Sequence, residues 1–211
     1  MPLQNRVAPN GEILADPARG TLMGNRGGAL HVAGKTLGAR RWVSRQWICC
    51  VTEFRGRRRE VMSPGRYTEL FFLDEPTALA AGHRPCFECR RADALRFAEA
   101  WSRAHGLQTN ARAAEIDQTL HSQRIDLHGK KQLRPYDYAD LPAGTCVHDS
   151  ATDCCYLILD DCLLPWSFAG YGSPLVRPRH GTVFALTPAG IIGALKCGYA
   201  PMLHESARIS G

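Results

Sequence analysis

The segment His83-Arg84-Pro85-Cys86-Phe87-Glu88-Cys89-Arg90-Arg91 constrains this chain more than any other. Two thiols three positions apart, at the mouth of a predicted helix, can reach one ion together. The helix N-terminus and the flanking arginines favour thiolate over thiol, and thiolate is the form that binds metal. Zinc takes four nitrogen or sulfur donors in a tetrahedron at about 2.0–2.3 Å, and this motif supplies two. Two other uses fit the same residues. A thioredoxin-like redox pair also sits at a helix N-terminus, but it follows a strand, whereas here a helix and Gly82 come first. Alternatively, both cysteines are packing residues. The chain has no second Cys-x-x-Cys, so further ligands must come from elsewhere. His83 stands three residues before Cys86. Cys49 and Cys50 lie on a predicted strand and point to opposite faces, so at most one is well placed; Cys49 is the candidate carried forward. His31, after a glycine loop, is a more distant one.

The surrounding pattern predicts mixed secondary structure. Glu12–Ala15 and Thr21–Met23 read as short strands, and residues 23–28 as a loop. Residues 41–63 read as a β-hairpin that turns at Arg55-Gly56 and returns through Met62. Asp74-Glu75-Pro76 opens a short helix that Gly82 closes. Further helices are expected from about Pro85 to Ala104 and over 112–128. Short strands follow at 145–148, 155–159 and 183–186, and Thr187-Pro188 opens a last helix that ends at Gly198. The expectation is an α+β fold: a β-hairpin plus helices carrying a zinc-ribbon-like or Ada-like site, then a small sheet with a packed C-terminal helix. Residues 1–110 would form a basic hairpin-and-helix region and 111–211 a helix plus a small β-rich region, or the whole would be one continuous domain.

The run from Glu69 through Leu73, Asp74-Glu75-Pro76, Ala80-Ala81-Gly82, His83-Arg84-Pro85-Cys86 and Cys89-Arg90 resembles the second half of the metal-binding domain of the Ada DNA-repair proteins. The shared pattern is an apolar strand, a short Ala-rich helix, then Arg-Pro-Cys-x-x-Cys-Arg. The resemblance covers about residues 69–91 and implies zinc on Cys86 and Cys89. In that family two upstream cysteines complete the site, and one of them accepts a methyl group from a DNA phosphotriester. This chain has no cysteine between Cys50 and Cys86, so methyl transfer is not carried over.

Charge and cysteine content narrow the function classes. The net charge is +6, and residues 1–105 carry the whole excess, with 17 Lys and Arg against 10 Asp and Glu. A one-sided basic surface suits a polyanion. Arg57, Arg58, Arg59, Arg84, Arg90 and Arg91 are the candidates for meeting nucleic-acid phosphates; the alternative is a solvated arginine-rich face. The nine cysteines are odd in number and Met1-Pro2-Leu3 opens no apolar leader, so reduced thiols in the cytoplasm are expected over a disulfide framework. No apolar run approaches the roughly 18–20 residues that span a bilayer. The leading expectation is a zinc protein, its metal structural, that contacts nucleic acid. The rivals are a metal-dependent hydrolase with an open zinc position and a metal-free domain with packing cysteines. Asp117 and His121, four apart on one helix face, are a weaker acid–base candidate. Trp166, Phe168 and Tyr171 form an aromatic loop suited to stacking on a ring or to plugging the end of a sheet.

Overall fold

The computed structural model describes residues 1–57 and 60–208. Its strands are short and gather into two sheets. The first holds β1 (Gln4–Val7), β2 (Ile13–Ala15), β3 (Leu22–Asn25), β4 (Ile48–Val51), β5 (Leu70–Phe72) and β6 (Arg84–Pro85), in the order β2-β1-β5-β3-β4-β6. β1 runs parallel to β5, and β4 to β6; the other neighbours are antiparallel. The second sheet is antiparallel. It holds β7 (Arg134–Asp137), β8 (Cys146–Asp149), β9 (Cys154–Ile158), β10 (Cys162–Ser167), β11 (Gly170–Tyr171), β12 (Leu175–Val176) and β13 (Thr182–Ala185), in the order β11-β10-β9-β8-β13-β7 with β12 beside β10. Four α-helices complete the described fold: α1 (Glu75–Ala80), α2 (Arg91–Ala104), α3 (Ala113–Arg124) and α4 (Ala189–Lys196). The class is α+β, with the C-terminal helix following the second set of strands. No helix among the described residues is long and apolar enough to cross a membrane.

The four helices share one core, built on Leu79, Phe97, Trp101, Ile116, Leu120 and Ile191. Each fully buried side chain of this kind contributes about 1.5–3 kcal/mol. A second cluster lies under the first sheet around Leu22, Leu70 and Phe72. Leu73 and Ala80 pack instead with Cys146, Leu157 and Leu164 of the second sheet. The cores therefore draw on residues from both sides of position 110.

α1 is short and every residue in it is buried. Its start is fixed by Asp74, whose Oδ1 accepts from the Thr77 amide at 3.1 Å and the Thr77 hydroxyl at 2.8 Å. Asp74 Oδ2 accepts from the Tyr171 hydroxyl at 2.9 Å and the His204 amide at 3.1 Å. Glu75 Oε1 accepts from the Tyr199 hydroxyl at 2.5 Å, and Oε2 from the Met202 amide at 2.8 Å and from Arg90 at 2.7 Å. Two adjacent carboxylates thus tie the helix start to the second sheet, to the C-terminal segment and to the start of α2. Burial pushes the Asp74 carboxyl upward in pKa, against the pull of its hydrogen bonds from Thr77, His204 and Tyr171. The helix ends at Gly82, where φ is +88° and an added Cβ would stand 2.6 Å from the Arg124 side chain. Only glycine meets both demands.

Several expectations change in detail. The antiparallel partner of β4 is β3, not the segment after Gly56, whose described residues form turns and coil. The Cys-x-x-Cys helix begins at Arg91 rather than near Pro85, because Arg84-Pro85 pairs with β4 and residues 86–90 form the turn. The third helix ends at Arg124: Ile125 bridges to Lys131, and Asp126 takes the amides of His128 and Lys130, leaving Leu127 in solvent. The aromatic loop closes the second sheet. Trp166 donates to the Thr77 hydroxyl at 3.0 Å, and Tyr171 is the residue that reaches Asp74.

Removing the charge at position 75 leaves Arg90 buried without its main partner. Glu75→Gln is expected to destabilise the protein by about 3–5 kcal/mol. Urea unfolding monitored by fluorescence measures it, and a loss within about 0.5 kcal/mol of zero, the range of an ordinary surface substitution, contradicts the role given to this pair.

Candidate metal centre

Cys50, Cys86 and Cys89 bring their three sulfurs within 4.8 Å of one another. Backbone pairing causes this. The Arg84 amide donates to the Trp47 carbonyl at 3.1 Å and the Cys86 amide to the Cys49 carbonyl at 2.9 Å. These two bonds lay the start of the motif alongside β4. The chain then turns, with the Arg90 amide on the Cys86 carbonyl at 3.0 Å, and α2 begins. The Glu88 amide points at Cys86 Sγ from 3.4 Å. Arg90, held by Glu75, fixes the far end of the turn.

The electrostatics suit a cation. The Cys86 thiol is lowered in pKa to about 5, first by the hydrogen bond from Cys50 and then, against burial, by the amides of Cys89 and Glu88. Cys89 is lowered as well, chiefly by Cys50. Cys50 moves upward, because hydrogen bonding of its single S–H proton toward the Cys86 and Cys89 sulfurs, and then burial, favours the neutral thiol. Three sulfurs sharing a proton this way form a donor set in which a soft or borderline divalent ion can take the proton's place. Among the described residues, no fourth His, Cys, Asp or Glu atom joins the group. Instead the three cysteines form one wall of a cavity of about 440 Å³, shared with Met23, Asn25, Tyr67, Glu69 and Phe71. Glu69 is buried there and accepts from the Met62 amide at 2.8 Å.

The sequence-derived ligand set needs two corrections. Cys49 is not in the group. It shares a strand face with Trp47, lies fully buried beside Leu70 and Phe72, and receives Arg90 Nη1 at 3.5 Å; burial raises its pKa, against the charge of Arg90. Its neighbour Cys50 faces the turn, opposite Met23 of β3. His83 is not in the group either. It is fully buried between Trp47 and Phe72, with ring centroids at 5.2 and 4.7 Å, and its Nε2 accepts from Arg26 at 3.4 Å. Burial first, then the charges of Arg26 and Arg124, lower its pKa well below the ordinary histidine value. His31 bonds to Thr68 and to the Ser63 carbonyl.

The arginines are likewise redistributed. Arg84 is buried in a two-pronged pair with Asp117, at 2.9 and 2.7 Å, joining β6 to α3. That pairing also accounts for Asp117, which is buried rather than free for acid–base work. Arg90 is buried against Glu75 and Asp93. Neither is available to nucleic-acid phosphates. Arg57 is exposed and pairs with Glu88, inside the Cys-x-x-Cys turn, at 2.9 Å; Arg91 is exposed at the start of α2. Arg58 and Arg59 lie outside the described residues. All nine cysteines are free of disulfides.

Comparisons with protein-family models, with curated proteins and with solved structures find no match to this chain.

Whatever divalent ion the thiols hold, Cys50→Ser is expected to abolish its tight retention, whereas Cys49→Ser leaves retention unchanged. Elemental analysis after dialysis against a competing chelator reads the difference. Equal loss in both variants would return Cys49 to the ligand set.

Proposed function

We propose that this chain is a zinc protein in which Cys50, Cys86 and Cys89 are thiolate ligands and the fourth coordination position opens onto the adjoining cavity. The observation that carries this reading is the convergence of three thiols on a cavity wall with no fourth side-chain ligand among the described residues. Sulfur donors suit zinc, and three protein ligands with an open position mark zinc sites that do chemistry. The resemblance of residues 69–91 to the Ada metal-binding half supports the choice of ion. Bound there, zinc supplies Lewis-acid polarisation to whatever oxygen or sulfur occupies the open position. The chain's own residues do the rest. The β4–β6 pairing fixes the relative height of the sulfurs, Arg90 and Glu75 hold the turn, and Met23 and Phe71 contribute apolar lining to the cavity. Glu69 and Tyr67 line the same cavity.

A structural zinc is the second reading, and the placement of the site favours it: the three thiols join β4 to the turn ahead of α2. In that reading the arginines left on the surface, Arg57 and Arg91 among them, meet a polyanion, and binding weakens steeply with salt.

Cobalt replacement separates the two. With an open position, adding imidazole or a small thiol shifts the ligand-field bands of the cobalt protein while the sulfur-to-cobalt charge-transfer bands persist. Bands that do not respond to either ligand overturn the open-site reading in favour of the structural one. Zinc loading is also expected to release protons and to weaken as pH falls, because protons compete for the same sulfurs; calorimetry in two buffers of different ionisation enthalpy measures the release.

A further inference from the structure

A second cavity, of about 400 Å³, lies apart from the thiols and is lined by Arg26, Arg41, Trp42, Arg124, Lys130 and Lys131, with Glu12 as its acid. Arg26 and Arg124 are buried, 2 % and 0 % exposed. Both stack on the Trp47 ring, with guanidinium carbons 4.0 and 3.9 Å from its centroid. Among the described residues, none of Arg26, Arg124 and Lys131 is within ion-pair distance of a carboxylate. Their partners are neutral. Arg26 donates to the Gly11 carbonyl at 2.8 Å and the Arg41 carbonyl at 3.3 Å. Arg124 donates to the Gly82 carbonyl at 2.9 Å and the Arg45 carbonyl at 2.7 Å, and among the described residues its Nε has no acceptor. Lys131 donates to the Ala80 carbonyl. Carbonyls orient these cations without neutralising them, and buried charge without a counter-ion is costly.

We propose that this cavity is an oxyanion site that takes inorganic phosphate or the phosphoryl group of a phosphomonoester. Two guanidinium forks and an ammonium supply the charge and the several donors that a phosphate dianion accepts, and cation–aromatic stacking on Trp47 holds the forks in place. Burial, followed by the repulsion of neighbouring cations, lowers Lys131 to about 7 and Arg26 and Arg124 to about 9. A bound anion relieves both effects. Gly82 belongs to this arrangement too, since a side chain there would collide with Arg124.

The test uses the full-length, zinc-loaded protein in chloride buffer. Inorganic phosphate and glycerol phosphate are titrated separately, against sodium chloride at matched ionic strength, by calorimetry and thermal unfolding. Saturable binding of one equivalent with a rise in Tm is expected. Binding of inorganic phosphate alone identifies a free-anion site, and binding of the ester identifies a phosphoryl-group site. Arg26→Met removes a core contact and risks misfolding, so Lys131→Met is the decisive variant. It is expected to weaken binding about tenfold or more with zinc content unchanged. Lys196→Met, on the exposed end of α4, leaves binding unaltered. The proposal is overturned if neither anion exceeds chloride, or if the two lysine variants weaken binding equally.

Discussion

The pair of buried carboxylates at Asp74 and Glu75 organises the rest of the molecule. One caps α1 and reaches the second sheet through Tyr171; the other holds the C-terminal segment through Tyr199 and Met202 and the thiol turn through Arg90. Acidic groups belong at a helix N-terminus, where unpaired amides and the macrodipole favour negative charge. Here the same charge is also used sideways. Carboxylates so deeply buried persist because nearby donors satisfy them, and those donors come from α1 itself, the second sheet, the C-terminal segment and the start of α2.

That hub explains why the thiols have a defined geometry. A turn of five residues between a two-residue strand and a helix has little packing of its own. Its first end is fixed by the Arg84 and Cys86 amides, which donate to the Trp47 and Cys49 carbonyls, and its second by Arg90. The arginines flanking the cysteines therefore do structural work, Arg84 through Asp117 and Arg90 through Glu75, which removes them from the surface.

Much of this was legible in the chain. Asp74-Glu75-Pro76 with Gly82 marked α1 closely, since caps and breakers are local chemistry. Thr187-Pro188 and Gly198 did the same for α4, and Cys86 with Cys89 pointed to the thiol centre. What was not legible depended on partners distant in sequence. β4 reads equally well as the first arm of a hairpin, and only the full sheet shows β3 beside it. The choice between Cys49 and Cys50 turned on which face of that strand meets the core. Trp47 held the clue: it shares parity with Cys49, and a tryptophan is a poor candidate for the open face. His83 looked like a ligand by spacing alone, but it lies on the tryptophan side of the sheet. The cationic cavity draws on Arg26 and, about a hundred residues later, on Arg124 and Lys131, and no spacing rule connects the first with the other two.

β4 and the residue just before it carry side chains to both places, Trp47 toward the guanidiniums and Cys50 toward the other thiols. An odd number of steps separates the two, so they project from opposite surfaces of one strand. Gaining or losing a single residue between them would turn one of the pair around. Descendants of this chain can exchange residues there, but they cannot change the length of that interval without forfeiting either the thiol cluster or the cation–tryptophan stack.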